Sequence, residues 1–235
     1  MKNAITVKNL TKKFIINHTK NISKDLDSII AVNNISFEVK KGEMFGIIGL
    51  NGSGKSTLLR IIAGIYYPDK GTVEVNGKLA PVLQIGVGFH KELTPKENII
   101  MFGMLMGIPK KDIGKKIEKI LDFAELKKFK ELKIKHFSAG MKARLAFSTV
   151  LEIETDIILI DEVLSVGDIK FKDKSLQAFL EFKRKGKTIV LTSHSMGTIS
   201  KFCDRVMLLD EGKMIDIGKP DEIISKYKEN ANIDL

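Results

Sequence analysis

A single cysteine, Cys203, stands in 235 residues. No internal disulfide can form, and a reducing cytosol is the simplest home for such a sequence. Runs of about 18 apolar residues are missing, which excludes a membrane-spanning helix within the sequence. The N-terminal stretch Met1-Lys2-Asn3-Ala4-Ile5-Thr6-Val7 has no apolar core of a secretory signal. Glycosylation matches at Asn17, Asn21, Asn34 and Asn51 are accidental on that reading. Glutamine is confined to Gln84 and Gln177, and its scarcity beside abundant Lys and Glu suits a thermophile. Internal repeats and low-complexity tracts are also missing.

The length allows one large domain or two small ones, with a substantial core. Hydrophobic residues make up 43% and charged residues 29%, the balance of a folded globular chain. A net charge of +10 suits nucleic acid or an anionic membrane face. It suits a lysine-rich solubilising surface equally well.

One stretch carries chemistry by itself. Gly49-Leu50-Asn51-Gly52-Ser53-Gly54-Lys55-Ser56-Thr57 matches the phosphate-cradling P-loop, G-x-x-x-x-G-K-[ST]. Its glycines let the backbone turn tightly and approach phosphate oxygens. Successive N–H groups then form an anion nest at the start of a helix. Lys55 supplies a point charge for the β- and γ-phosphates, and the Ser56 hydroxyl can sit on Mg²⁺. The stretch Glu43 to Ile48 predicts a buried strand entering the loop, and Leu58, Leu59, Ile61 and Ile62 a helix leaving it.

The chain otherwise alternates strands and helices. Residues 4–8 alternate like an edge strand. Residues 15–30 are polar and look inserted, with a short helix starting near Ser23-Lys24-Asp25-Leu26. Ile35 to Val39 predicts a half-buried strand, and Thr72–Val75 and Lys78–Leu83 predict short ones. Thr94-Pro95-Lys96-Glu97 has the pattern of a helix N-terminus with a capping box. Pro109 opens a second helix, and Ser138 can cap a third, through Glu152. Lys127 to Lys135 is a basic, solvated run. Ile157–Ile160, Thr188–Leu191 and Arg205–Leu209 predict buried strands, with helices over Phe171–Leu180, Met196–Phe202 and Pro220–Lys228 between and after them. Strands separated by helices imply parallel βαβ units. The helical middle, from about 88 to 150, breaks that pattern as an inserted subdomain.

Asp161 ends one buried strand and Glu162 follows it. Adjacent carboxylates at the C-terminal end of a central strand lie where open α/β sheets place their chemistry. Asp161 can hold Mg²⁺ through water, and Glu162 can polarise a water attacking the γ-phosphate. The same position also suits acids at a helix N-terminus. His194 ends the next buried strand, where its ring N–H can contact a γ-phosphate. Gln84 ends a strand-like segment, and its amide can bind Mg²⁺ or the attacking water. Phe14 can pack in the core, the commoner fate of phenylalanine, or stack on an adenine ring.

Phe137-Ser138-Ala139-Gly140-Met141 lies shortly before the Asp161-Glu162 strand and resembles the L-S-G-G-Q signature loop of ATP-binding cassette ATPases. The other family parts occur in order: Phe14 at the aromatic A-loop, Gly49 to Thr57 as Walker A, Gln84 at the Q-loop, Asp161-Glu162 as Walker B, Ser165-Val166-Gly167-Asp168 at the D-loop, and His194 as the switch histidine. The departures are Phe137, Ala139 and Met141 in the signature and Gly167 in the D-loop. Ser138 and Gly140 persist, so the loop can still offer a hydroxyl and backbone N–H groups to a phosphate.

The resemblance implies an α/β P-loop NTPase core with a mostly parallel sheet. An N-terminal antiparallel β subdomain and an inserted helical subdomain complete the cassette, with the core at 1–87 and 151–235. ATP and Mg²⁺ would lie between two copies packed head to tail. One copy would contribute Gly49, Asn51, Gly52, Ser53, Gly54, Lys55, Ser56 and Thr57, and the other Ser138 and Gly140, with Asp168 nearby. Closure is differential binding to one of two states.

A narrower resemblance rests on Leu83 to Phe89, Phe137 to Leu145, Val163 to Asp168, Ser193 to Met196 and Phe202 to Arg205. These look like the polysaccharide exporter branch, which moves O-antigen, teichoic acid or capsular glycans. It implies an integral membrane permease as partner, a peripheral place on the cytoplasmic face of the membrane, and no nucleic acid. The inserted segment at 15–30 looks like the extra N-terminal element of those exporters. Some relatives carry a C-terminal carbohydrate-binding domain, which this chain, ending at Leu235, lacks or was cut before. The alternative from another class is a cassette ATPase acting on nucleic acid, which the positive charge favours; a third is a nucleotide-binding scaffold without turnover.

Overall fold

The computed structural model describes residues 2–15, 28–82, 89–161 and 169–230. Strands β1 (Asn3–Ile15), β2 (Ser28–Lys40) and β4 (Lys70–Val75) form a small antiparallel sheet in the order β2-β1-β4. A second sheet of six strands has β3 (Met44–Ile48), β5 (Leu79–Val82), β6 (Ile157–Asp161), β7 (Thr188–Thr192), β8 (Arg205–Asp210) and β9 (Lys213–Gly218), in the order β5-β6-β7-β3-β8-β9. All its neighbours are parallel except β8 and β9.

The central strands are apolar throughout because both faces are covered. Every residue of β3 and β7 is buried, as is β6 up to Asp161. Side-chain alternation divides each strand between two cores. Ile48, Ile158, Ile160 and Leu208 face one core with Phe147, Phe171, Phe179 and Phe202. Ile47, Ile157, Leu159 and Leu209 face the other, which fills the space against the small sheet with Ile5, Val39, Leu58 and Leu59. The helices α1 (Lys55–Ile62), α5 (Ile169–Arg184), α6 (Met196–Phe202) and α7 (Pro220–Asn230) accompany the large sheet.

The middle of the chain has its own core. Helices α2 (Pro95–Leu105), α3 (Lys110–Phe123) and α4 (Ala139–Leu151) gather Ile99, Ile113, Ile120, Leu126, Phe137 and Leu145. The capping box expected at Thr94 is formed, with Thr94 Oγ1 accepting from Glu97 N and Glu97 Oε2 accepting from Thr94 N. Ser138 caps α4 as its position predicts. Helix α4 also ties this core to the sheet, because Phe147 and Val150 pack with the first cluster.

Two expectations need correction. The strand at residues 4–8 is no edge: β1 lies between β2 and β4, and Ala4, Ile5, Thr6 and Val7 are all buried. Alternation reports which faces are covered; it is silent on how many backbone neighbours a strand has. The polar insertion expected at 15–30 is narrower, because Ile15 and residues 28–30 already pair as strand, exposed side chains notwithstanding. The helix expected from Ser23 lies outside the described residues.

Candidate active site

Strand β3 delivers the chain into the P-loop, and the loop is fixed by its surroundings. Gly49 has φ +156°, and a Cβ there would stand 2.1 Å from the Leu209 carbonyl oxygen. Gly54 has φ +103°, and a Cβ there would stand 2.2 Å from the Ala31 oxygen. At both positions backbone from a neighbouring element presses on the loop, and glycine alone fits. The turn between β8 and β9 adds a strap. Gly212 N donates to Ser53 O at 3.0 Å, and Asn33 N on β2 donates to Gly212 O at 2.7 Å.

Lys55 is buried, and its ammonium donates to Gly49 O and Leu50 O, both at 2.8 Å. Two carbonyls of the loop thus hold the charge inside the curve of the loop. Ser53 is 3% exposed, and among the described residues its Oγ is a buried side-chain oxygen without a hydrogen-bond partner. An orphaned hydroxyl is costly to bury. Helix α1 starts at Lys55 with no side chain capping it, so its first N–H groups lack intrahelical partners. A Cβ on Gly52 would meet nothing within 4 Å. The N–H groups of a helix's first turn, a buried cation and an open rim beside Asn51 fit a phosphate group. Ser56 and Thr57 lie half-buried in the first turn of α1.

The neighbouring strands bring further groups to the same edge. Asp161 on β6 registers with Thr192 on β7, which registers with Ile47 on β3. At about 4.8 Å between strands, Asp161 stands about 10 Å from the strand that carries the P-loop. Thr192 is 1% exposed, and its hydroxyl donates to Asp161 Oδ1 at 2.6 Å. That bond holds the half-buried carboxylate at the strand end. His194 is exposed two residues beyond Thr192, on the turn into α6. Ser193 and Ser195 brace this turn, Ser195 N donating to Ser193 Oγ at 3.1 Å. Hydroxyl and carboxylate oxygens, Ser56 and Asp161, are the hard donors that Mg²⁺ prefers.

Phe14 belongs to none of the three cores. Its half-buried ring meets Tyr66 edge-on at 5.6 Å, and the Lys12 ammonium lies 5.5 Å from its centroid. Gln84, Glu162 and Asp168 lie outside the described residues. Ser138 and Gly140 sit at the start of α4, Ser138 Oγ accepting from Met141 N at 3.1 Å. Among the described residues no hydrogen bond joins them to the P-loop. Strand register thus brings the P-loop, Asp161 and His194 to one sheet edge, whereas Ser138 and Gly140 stand at the start of α4, beside the helical core.

Sequence reasoning missed Thr192 and Tyr66 as functional candidates. Thr192 was visible only as the end of a buried strand, and its partner depends on strand order. Tyr66 follows the P-loop helix by a few residues, an aromatic signal that gains meaning once Phe14 is seen beside it. The lone cysteine has no catalytic part. Burial, with Asp204 adding to it, pushes the Cys203 thiol up to about 12, so it stays protonated and unreactive at neutral pH.

Residues 32–165 match the family described as ABC transporter. The chain is 43% identical over 200 residues to an O-antigen export system ATP-binding protein of Klebsiella pneumoniae, covering 85% of this chain and 81% of that one. It is 41% identical over 214 residues to the O-antigen export system ATP-binding protein of Myxococcus xanthus, and 46% identical over 207 residues to a teichoic acids export ATP-binding protein of Bacillus anthracis. Those matches take in 91% and 88% of this chain but only 49% and 38% of the longer relatives. Among solved structures, a dimeric ATP-binding cassette in a post-hydrolysis state with ADP and Pi superposes with a TM-score of 0.78 at 26% identity, over 92% of this chain and 98% of that one. An ATP-binding subunit of an ABC transporter gives 0.80 at 26% identity, over 95% and 93%. With more than half of its length in the family match, and one relative at 43% identity covered over 81% of its length, the chain belongs to the ABC transporter family as an ATP-binding cassette.

Proposed function

We propose that the chain is the ATP-hydrolysing subunit of a glycan exporter. It works as a head-to-tail dimer beside an integral membrane permease, on the cytoplasmic face of the membrane. The observation that carries this reading is the gathering of Lys55, Ser56, Asp161 and His194 at one sheet edge. The exported class, a lipid-linked polysaccharide, is inferred from relatives named for O-antigen and teichoic acid export.

The amides of the P-loop and the Lys55 ammonium bind the β- and γ-phosphates. Phe14 stacks on the adenine. Ser56 and Asp161, with Gln84, hold Mg²⁺, which when bound neutralises phosphate charge. Thr192 fixes the Asp161 carboxylate. Glu162 takes a proton from the attacking water as the water oxygen bonds to the γ-phosphorus and the bond to the bridging oxygen breaks, releasing ADP, and His194 steadies the γ-phosphate. Ser138 and Gly140 of the second copy, with Asp168, close the site from the far side.

Glu162→Gln tests the chemistry. Turnover should fall by roughly 10²–10⁴-fold, with ATP binding retained and the dimer trapped. Near-normal phosphate release would remove Glu162 from the role of base. The transport reading is tested by co-purifying the chain with a membrane subunit and identifying bound glycan. The +10 charge supports one other reading, a nucleic-acid cassette. Submicromolar DNA binding with a steep salt slope, without a stable membrane partner, would favour it.

A further inference from the structure

Asn98 is 0% exposed, a fully buried amide in the first turns of α2. Its side-chain hydrogen bonds all go to the turn before that helix and to its N-cap residue. Its Oδ1 accepts from His90 N at 2.7 Å, and its Nδ2 lies within reach of three carbonyls: Thr94 at 2.9 Å, and His90 and Leu93 at 3.2 Å. A buried amide satisfied this fully dictates one conformation of the turn, because each lost partner leaves a buried polar group unpaired.

The turn is in turn the anchor of another segment. Ile134 N donates to Leu93 O at 3.0 Å, and Lys135 N donates to Lys91 O at 3.0 Å. The Leu93 carbonyl therefore accepts both from the Asn98 side chain and from the backbone of residue 134. Glu92 adds ion pairs to Lys135 at 2.9 Å and Lys133 at 3.3 Å. Residues 134–136 form one 3-10 turn, Phe137 N donates back to Ile134 O, and buried Phe137 leads directly into Ser138. The path from Asn98 to Ser138 is thus one shared carbonyl and one short turn.

We infer that Asn98 is a positioning residue for the signature half of the site: through the Leu93 carbonyl it sets where Ser138 and Gly140 stand when a second copy presents its nucleotide. This rests on the composite-site reading above. Among the described residues the Asn98 side chain makes no hydrogen bond to the P-loop, so its loss should spare ATP binding to a single chain and weaken the closing of two. A purely structural role would lower both together with the melting temperature.

The test uses the full chain in the Glu162→Gln background, where closed dimers are expected to accumulate. Asn98→Ala should leave monomer ATP affinity within about twofold, raise the concentration needed for ATP-dependent dimerisation by tenfold or more, and speed amide exchange at residues 134–138 relative to α3. Glu92→Lys is the second variant. It reverses two surface ion pairs without opening the core, and it should shift dimerisation the same way by about two- to threefold. If either variant loosens residues 134–138 while dimerisation stays at the parent value, the inference is overturned. Equal losses of ATP affinity and dimerisation overturn it too. If the parent itself fails to dimerise with ATP, the composite-site reading fails instead.

Discussion

Lys55 is 6% exposed and bonded to two carbonyls of its own loop, whereas Ser138 is exposed and caps a helix that begins in a separate small core. The P-loop is pressed by Leu209 and Ala31, strapped by Gly212, and continuous with a strand that is buried throughout. The signature loop depends on one cap and one turn held through Leu93. The half proposed to bind nucleotide is a rigid part of the main core. The half that would complete the site on another copy hangs on a second core, joined to the first through α4 and through Phe102 of α2 and Phe123 of α3. Packed cores resist deformation, while joints between them move at lower cost. A site that must open and close is well served by fixing one half and letting the other shift.

Removing the cation from the rigid half should have the largest effect. Lys55→Ala deletes the buried ammonium proposed to meet the phosphates, and a charge-assisted bond is worth about 1.5–3 kcal/mol. ATP affinity, read by fluorescence titration, should fall by about 10- to 100-fold, and ATP-dependent closure should vanish with it. Closure that persists without nucleotide binding would mean that the two halves do not share one ligand.

Gly54→Ala comes next and acts on the fold. A Cβ at φ +103° costs about 1–3 kcal/mol before any clash, and here it meets the Ala31 oxygen at 2.2 Å. Gly52→Ala is the control, with φ +83° but open space around the Cβ. Thermal melting should separate the two, Gly54→Ala falling further. Equal melting would show that β2 yields to the loop and that the P-loop half is softer than its contacts imply.

Most of this division was legible in the chain. The P-loop, the apolar runs of β3, β6, β7 and β8, and the caps at Thr94 and Ser138 are local patterns, written within a few residues of where they act. The pairing of Thr192 with Asp161 spans 31 residues and exists only because β7 lies beside β6. The orphaned Ser53 hydroxyl, the meeting of Phe14 with Tyr66 and the central place of β1 depend likewise on which elements become neighbours. Periodicity marks faces and ends; it does not rank strands within a sheet.

The smallest change in free energy is also the one that separates the two jobs of Ser138. Ser138→Ala removes a cap worth about 1 kcal/mol, a drop of roughly 2–4 °C in melting temperature for a chain of this size. It also removes the hydroxyl offered to a phosphate, so weakened closure in that variant has two explanations. Ser138→Asp separates them. Aspartate caps a helix as well as serine, and its charge favours a helix N-terminus. The melting temperature should therefore stay at or above the parent value. The same charge repels a phosphate brought by a second copy, so ATP-dependent dimerisation, read by light scattering, should fall further than in Ser138→Ala. If Ser138→Asp dimerises like the parent, Ser138 is a cap and nothing more, and the exposed half of the site must lie elsewhere on the chain.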